Sequence, residues 1–132
     1  MPSALFLCRH NACRSQIAEA VCRSLAPAWD VASAGSRPSA DVDRKAVEIL
    51  RRHGLAMASP RPKGVPGLPS RRWDVVVCMG CDGAGAGLPS GRYVEWPVED
   101  PNDGPIEIYE ALFRELSERV GGLVREAESP AR

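Results

Sequence analysis

The sequence has no excess of charge of either sign, because 17 Lys and Arg side chains are balanced by 17 Asp and Glu side chains. Such a chain lacks the broad positive surface that attracts nucleic acid or an anionic membrane, so we expect neither as a partner. Any site for an anion must therefore be local, built from a few Arg side chains and backbone N–H groups. The sequence also lacks an apolar run long enough to span a bilayer.

A structural disulfide framework is not indicated either. The number of cysteines, five, is odd, and residues 1–4 lead into a short apolar segment without the features of a signal peptide. We therefore expect a cytoplasmic protein whose cysteines serve catalysis, redox chemistry or metal binding. The five are Cys8, Cys13, Cys22, Cys78 and Cys81.

Apolar periodicity predicts strands that alternate with helices in one domain over residues 1–132. Asp41 is the predicted N-cap of the second helix, and Gly54 follows its end. The last helix is predicted to bury a stripe that begins at Ile108. Two segments are predicted loops, one rich in Pro and Gly at 59–70 and one rich in Gly and Ala at 80–91. The predicted strands are 4–7, 29–34, 74–78 and 93–96, and the predicted helices are 15–25, about 41–54 and about 106–126.

This alternation is typical of βαβ units with right-handed crossovers. We expect a three-layer α/β fold, with a four-stranded parallel sheet of order 2-1-3-4 and helices on both faces. In that order the first and third strands are neighbours, and ligands bind beyond their C-terminal ends. Cys8 and Cys78 lie at those two ends.

The segment Cys8-Arg9-His10-Asn11-Ala12-Cys13-Arg14-Ser15 has the form C-x5-R-S and links a predicted strand to a predicted helix. Such a turn directs successive backbone N–H groups into one concavity, and the helix N-terminus adds partial positive charge. Arg14 supplies a planar fork for two oxyanion oxygens, and Ser15 can donate to the sulfur of Cys8. The pattern predicts a Cys8 thiolate that attacks a tetrahedral oxyanion bound by residues 9–14. The alternative interpretation, that Cys8 is only structural and Arg14 is a solvated helix residue, is less favoured.

Nearly the whole chain resembles the low-molecular-weight protein tyrosine phosphatase superfamily. The resemblance rests on the loop just described, on Ser33-Ala34-Gly35-Ser36 after the second strand, and on Glu99-Asp100-Pro101 before the last helix. It implies that Asp100 is the general acid that protonates the leaving oxygen. The residues alone leave that role open, because an Asp before Pro could equally be an ordinary turn residue.

Within the superfamily, the chain is similar to the arsenate reductase branch. His10-Asn11 opens the loop and Gln16 follows Ser15, where phosphotyrosine phosphatases usually have Gly-Asn and Pro. The stretches 37–40 and 102–104 contain none of the aromatic residues that would wall a phosphotyrosine ring. The predicted function is arsenate reduction. The alternative is a low-molecular-weight protein tyrosine phosphatase that hydrolyses phosphotyrosine or aryl phosphate through a phospho-cysteine.

Cys78-Met79-Gly80-Cys81 supplies the additional thiols that a two-electron reduction needs. By resemblance, Cys81 attacks the Cys8 adduct. The third role is open between Cys78 and an external thiol, which could be glutathione with glutaredoxin, or thioredoxin. Neighbouring strands are about 4.8 Å apart, so we expect these loops near disulfide reach. The best-known reductases carry a further Cys in this loop, which residues 82–87 lack.

Other roles for the cysteines are weighed against this one. Cys78 could be a buried strand residue, and Cys22 lies on an apolar helical stripe and is expected to be core. Cys13 is either a regulatory partner of Cys8 or a small residue that fits. Zinc binding by four of the cysteines is disfavoured by the adjacent Arg side chains and by the spacing, and a non-enzymatic anion sensor by intact Cys8, Arg14 and Asp100. We expect a monomer without bound metal or cofactor.

Overall fold

The computed structural model describes residues 2–59 and 61–128. Met1, Pro60 and residues 129–132 of the predicted domain lie outside the described residues. The observed elements reproduce the predicted alternation, and most ends lie within three residues of the predicted ones. In chain order they are β1 (Ser3–Cys8), α1 (Arg14–Leu25), β2 (Asp30–Gly35), α2 (Arg44–Arg52), β3 (Trp73–Met79), β4 (Ser90–Glu95) and α3 (Ile106–Glu128).

The four strands form one parallel sheet in the order β2-β1-β3-β4, which confirms the predicted fold. Cys8 is in register with Gly35 of β2 on one side and with Met79 of β3 on the other. The C-terminal edge of the sheet therefore places the loop after β1 between the loops that follow β2 and β3. The candidate catalytic residues lie at this edge.

The two faces of the sheet are covered unequally. The larger core lies on the face of Phe6 and Cys8, and all three α-helices contribute buried side chains to it. The smaller core lies on the face of Leu5 and Leu7. A short 3-10 helix (Val65–Gly67) and loop residues cover that second face, so the prediction of helices on both faces holds only in this uneven form.

The N-cap of helix α2 lies two residues later than predicted, at Asp43 and not at Asp41. The Asp43 carboxylate accepts a hydrogen bond from the Lys45 backbone N–H at 2.9 Å. The same carboxylate accepts a hydrogen bond from the Tyr109 hydroxyl at 2.5 Å. Either Asp could cap a helix locally, so the tertiary contact to Tyr109 accounts for the choice.

The apolar stripe of α3 starts at Tyr109, whereas the prediction placed Ile108 on it. Ile108 is 48% exposed and Tyr109 is fully buried. An aromatic ring with a hydroxyl suits this position, because the hydroxyl reaches polar partners while the ring packs in the core. Of the helices that the structure describes, none combines the length and apolar character needed to cross a membrane.

Candidate active site

The anion loop (residues 8–15) turns its carbonyl groups outward. Four of its carbonyl oxygens accept hydrogen bonds from backbone N–H groups of neighbouring segments. In a planar trans peptide the N–H points opposite to the C=O, so the N–H groups of Arg9, His10, Asn11 and Cys13 face the inside of the loop. The outer donors are Ser36, Arg37, Ser39 and Asp43, at 3.2, 2.7, 3.2 and 2.9 Å from the carbonyl oxygens of Cys8, Arg9, His10 and Ala12 respectively.

Gly35 at the end of β2 is a requirement of this loop. A Cβ atom at Gly35 would lie 2.7 Å from the Arg9 carbonyl oxygen and 2.9 Å from the Asn11 nitrogen. Both are backbone atoms that cannot move aside, so only glycine fits. This contact gives a physical reason for the Ala-Gly turn on which the family resemblance partly rests.

The Cys8 sulfur lies at the bottom of the loop and is 3.0 Å from the Ser15 hydroxyl. Ser15 belongs to the first turn of α1, whose N-terminus carries partial positive charge. Both residues are buried. A hydroxyl and the N-terminal end of a helix are both surroundings in which proteins place nucleophilic cysteines.

Asn11 holds the loop from beneath. It has a positive φ of 51°, a conformation that Asn tolerates better than most residues. Its amide nitrogen donates to the hydroxyls of Ser15 and Ser33 at 2.7 and 3.0 Å, and its amide oxygen accepts from the Lys63 N–H at 2.8 Å. Gln16 donates to the Asn11 carbonyl oxygen at 3.2 Å.

A second layer of polar contacts supports Asn11. The Ser33 hydroxyl donates to Glu19 at 2.5 Å, and Glu19 pairs with Arg23 at 3.0 Å. Burial lowers the pKa of the Lys63 amino group, which approaches the Asn11 amide oxygen at 3.3 Å. This network was not predicted from the sequence, although a polar Ser within a strand and a Glu within a helix, both close to a C-x5-R segment, were a usable signal.

Arg14 is buried and is held in place by its own hydrogen bond. Its guanidinium donates to the Val98 carbonyl oxygen at 3.1 Å and lies 3.7 Å from the Asp100 carboxylate. Gly80 makes room for it, because a Cβ atom there would stand 2.9 Å from Arg14 Nη1. The backbones around β3 and Asp100 thus fix the fork that would hold two oxyanion oxygens.

A cavity of about 580 Å³ opens above Cys8. None of the described residues that line it is Phe, Tyr or Trp, in agreement with the lack of aromatic residues in the stretches 37–40 and 102–104. Asp100 lies on its wall and is part of a turn in which the Asn102 N–H donates to Asp100 at 2.9 Å. The lining residues are Cys8, His10, Ala12, Cys13, Arg14, Ser39, Asp41, Asp43, Arg44, Lys45, Asp100, Asn102 and Asp103.

The turn that carries Asp100 is fastened to α2. Lys45 donates to the carbonyl oxygens of Asp103 and Gly104 at 3.2 and 2.8 Å, and it pairs with the Asp103 carboxylate at 3.2 Å. The Asp103 N–H donates to the Tyr109 hydroxyl at 3.1 Å. These contacts were not predicted, since they join segments far apart in the sequence.

The predicted binding residues differ in how they meet the cavity. His10, Ala12 and Cys13 line it. Burial, followed by the charge of Asp43, raises the pKa of the Cys13 thiol well above its ordinary value, so Cys13 is a neutral thiol at neutral pH. The Arg9 side chain turns away from the cavity toward Asp82, which leaves its backbone N–H as its contribution to an anion site.

The thiol loop (residues 78–88) leaves the same edge of the sheet but belongs to the other face. Cys78 and Cys81 form a disulfide with 5.5 Å between their Cα atoms, and both belong to the smaller core with Leu5 and Leu7. Cys78 is in register with Leu7, whose side chain points away from the face of Cys8. The structure thus joins Cys78 to Cys81, and it places their side chains on the face of the sheet opposite to that of Cys8, while the strands that carry Cys8 and Cys78 are neighbours as predicted.

The remaining free cysteine is a core residue. Cys22 is fully buried on α1, and burial raises the pKa of its thiol to about 12. Within residues 2–59 and 61–128, there is no group of three or more His, Cys, Asp or Glu that could hold a metal ion. The four-cysteine zinc arrangement does not occur, because two of its members are bonded to each other on the other face of the sheet.

Comparison with known proteins identifies relatives of this architecture. The family described as low molecular weight phosphotyrosine protein phosphatase matches residues 3–130. A glutaredoxin arsenate reductase from Synechocystis sp. is 25% identical over 94% of this chain and 97% of its own. An arsenate reductase from Halalkalibacterium halodurans is 30% identical over 91% of this chain and 90% of its own. The structure of a thioredoxin-dependent arsenate reductase from Corynebacterium glutamicum superposes with a TM-score of 0.75 at 32% identity, covering 96% of this chain and 61% of that one.

Proposed function

Because this chain belongs to the low-molecular-weight phosphotyrosine protein phosphatase family, as its sequence motifs predicted, we propose that it is an arsenate reductase with Cys8 as the nucleophile. The observation that carries the proposal is the Cys78–Cys81 disulfide beside the anion loop. Two thiols besides the nucleophile are what the reduction of arsenate can use. Hydrolysis of a phosphate ester needs neither of them.

The first step forms a bond between Cys8 and arsenic. The Cys8 thiolate attacks arsenate held by the inward N–H groups of the anion loop and by the Arg14 fork. One arsenic–oxygen bond breaks, and Asp100 on the cavity wall supplies the proton with which the oxygen leaves as water. Arsenic remains in the +5 state, joined to the Cys8 sulfur.

The second step reduces arsenic. The Cys81 thiolate attacks the Cys8 sulfur, the sulfur–arsenic bond breaks, and its electron pair stays on arsenic. Arsenite leaves after taking up protons, and the two cysteines are joined by a disulfide. Cys78 then attacks the Cys81 sulfur and releases the Cys8 thiolate. The product of this exchange is the disulfide that the structure contains.

An external thiol completes the cycle by reducing the Cys78–Cys81 disulfide. A second cavity of about 370 Å³ is lined by both of these cysteines together with Glu95, Trp96 and Pro97. It offers a reductant an approach separate from the substrate cavity. We propose glutaredoxin with glutathione, or thioredoxin, since relatives are named for each. Such reductants act in the cytoplasm, where we place the reaction.

The alternative function is that of a low-molecular-weight protein tyrosine phosphatase, which is favoured by the convergence of Cys8, Arg14 and Asp100 on one cavity. Water would then regenerate the thiolate from a phospho-cysteine. The cavity lining does not favour phosphotyrosine as a substrate, because no described lining residue is a Phe, Tyr or Trp that could stack on its ring.

Cysteine variants separate the two functions within one protein. Purified wild type, Cys81→Ser and Cys78→Ser are assayed for arsenate reduction with glutathione/glutaredoxin or thioredoxin, and for p-nitrophenyl phosphate hydrolysis. Cys81→Ser is expected to lose arsenate turnover and to keep hydrolysis. Cys78→Ser is expected to stop after one turnover unless an external thiol resolves the first disulfide. Cys22→Ala is the matched control and should keep both activities, because Cys22 lies in the core away from the site.

Mass spectrometry after one arsenate turnover without reductant gives a second readout. We expect the Cys78–Cys81 disulfide in wild type and free Cys22. Arsenate reduction by Cys81→Ser at the wild-type rate with the same reductant would contradict the proposal, and the phosphatase function would then take its place.

A further inference from the structure

We propose that the ion pair between Arg9 and Asp82 is a pivot that keeps Cys81 within reach of Cys8 while the thiol loop moves. Asp82 thereby becomes a positioning residue for the second step of the reaction. This inference rests on the proposed function, because it concerns the attack of Cys81 on the Cys8 adduct. It gives a role to an ion pair beside the anion loop that neither this loop nor the acid requires.

The ion pair joins the residues that follow the two reacting cysteines. Arg9 comes directly after Cys8, and Asp82 comes directly after Cys81. The Arg9 guanidinium donates to both carboxylate oxygens of Asp82, at 3.2 and 2.9 Å. The Ser36 hydroxyl donates to the same carboxylate at 3.0 Å. Asp82 is thus fastened to the ends of both β1 and β2.

The proposed reaction needs a restraint because Cys81 has to move from one face of the sheet to the other. In the disulfide with Cys78 it is fully buried in the smaller core, whereas the Cys8 sulfur lies on the opposite face of the sheet. Its attack on Cys8 requires the loop to turn around the edge of the sheet. Consecutive Cα atoms are about 3.8 Å apart, so an Asp82 that stays on Arg9 confines Cys81 to a small volume near the anion loop.

The backbone around Asp82 permits such a turn over a short segment. Gly80 and Gly83 on either side have φ values of 71° and 76°, and a Cβ atom at Gly83 would meet no atom within 4 Å. Beyond them, Gly85 is packed tightly, with 2.8–3.1 Å from its virtual Cβ to Tyr93, Leu7 and Val76. Gly80 itself borders Arg14, with 2.9 Å from its virtual Cβ to Arg14 Nη1. The part free to reorient is therefore residues 81–83, with the pivot inside it.

The ion pair is exposed to solvent, and the attraction between its two side chains is electrostatic. The exposed fractions of the two side chains are 52% for Arg9 and 38% for Asp82. The hydrogen bonds from Arg9, and then from Ser36, hold the pKa of the Asp82 carboxyl below its usual range. Dissolved salt should therefore weaken the pivot, a property that a restraint made of packed side chains would not share.

The test replaces the carboxylate without changing the backbone. Asp82→Asn removes the charge, and Asn tolerates the positive φ of 55° at this position. Reduced enzyme is mixed with saturating arsenate, and arsenite release is followed over a single turnover. The variant is expected to release arsenite roughly two- to five-fold more slowly, the range that exposed ion pairs typically produce. Hydrolysis of p-nitrophenyl phosphate should be unchanged, because that reaction does not use Cys81.

Two comparisons identify the cause. Asp30→Asn is the matched control, because it breaks an exposed pair with Arg71 at the opposite edge of the sheet, and it should leave the single-turnover rate unchanged. Added potassium chloride should slow wild type toward the rate of Asp82→Asn and should affect the variant less. A rate in Asp82→Asn equal to or faster than that of wild type would overturn the pivot.

A second measurement does not depend on arsenate. In a Cys78→Ser background, Cys81 lacks its partner on the second face, and the protein is equilibrated in a glutathione redox buffer. Peptide mapping gives the fraction of Cys8–Cys81 disulfide, and Asp82→Asn should lower its equilibrium constant by roughly two- to five-fold. An unchanged constant, or no Cys8–Cys81 disulfide at all, overturns the pivot. If wild type fails to reduce arsenate while this shift is seen, the proposed function fails and the pivot stands.

Discussion

The anion loop and the thiol loop leave the same edge of the sheet from neighbouring strands, yet they are held in different ways. Four carbonyl groups of the anion loop are bonded to surrounding backbone, and Asn11 ties it to a strand, a helix and the segment at Lys63. Between Gly80 and Gly83, the thiol loop is held by one disulfide, by one exposed ion pair with a supporting hydroxyl, and by hydrogen bonds within its own turns.

The difference follows the proposed chemistry. A site that stabilises a transition state works best when its donors are fixed in advance. In the proposed reaction Cys81 attacks the Cys8 sulfur and is then attacked by Cys78, so it must be able to move, and loops with few buried contacts are the parts of a protein that do so. Substitutions in the two loops should therefore have different kinds of effect.

The largest expected effect belongs to the fixed loop. Arg14→Lys should lower both arsenate reduction and p-nitrophenyl phosphate hydrolysis by roughly 100- to 1,000-fold, because an ammonium cannot reproduce the fork. Steady-state assays of both reactions measure this. Arg37→Lys, in the exposed turn beside the loop, is the matched control and should change neither. Loss of only one activity in Arg14→Lys would show that the two reactions do not share the anion site.

Asn11→Ala tests whether the fixed loop is held mainly by its buried hydrogen bonds. Removing the amide leaves Ser15, Ser33 and the Lys63 N–H without this partner, so the free energy of unfolding should fall by about 2–4 kcal/mol. Urea denaturation measures it. Asn102→Ala also places Ala at a positive φ, of 49°, but Asn102 is exposed, so its loss should be smaller. Equal losses would mean that backbone strain, and not the network, is the cause.

Two glycines sharpen the limit of the mobile part of the thiol loop. Gly85→Ala should cost about 1–3 kcal/mol of stability, because the new methyl group would overlap Tyr93, Leu7 and Val76. Gly87→Ala meets no atom within 4 Å and should be neutral or stabilising by up to about 1 kcal/mol. Thermal unfolding of the two variants compares them. If Gly85→Ala were as stable as Gly87→Ala, the loop would not be anchored at Gly85.

The smallest expected effect is a dependence on pH in the thiol loop. The pKa of Asp82 is lowered from 3.8 by hydrogen bonds from Arg9 and Ser36. For a carboxyl with a depressed folded pKa, the contribution to stability is fully present above the unfolded value and is lost as the pH falls through the folded value. The Asp82 carboxyl carbon, followed by NMR, should titrate below 3.8. A midpoint at or above 3.8 would show that the pair does not persist in solution.

The sequence predicted the elements and the anion loop because their signals are local. The apolar runs mark the strands, and C-x5-R-S between a strand and a helix places Cys8 and Arg14. The roles of Asp43 and Tyr109 depend on contacts between distant segments, which periodicity cannot reveal. The strand order predicted that the strands of Cys8 and Cys78 are neighbours. A shift of one residue in the register between two strands, however, moves a side chain to the other face of the sheet. Leu7 and not Cys8 is in register with Cys78, and the two sulfurs lie on opposite faces.

That placement on opposite faces has a consequence for steady-state kinetics. In the proposed reaction, arsenate enters through the cavity above Cys8, and a reductant reaches the Cys78–Cys81 disulfide through the second cavity. In this scheme, thiol–disulfide exchange within the protein passes the oxidation from Cys8 to the Cys78–Cys81 pair. The enzyme is therefore expected to follow a two-site ping-pong scheme. Arsenate and the reductant should not compete for one site, so a high concentration of either should not inhibit the reaction of the other.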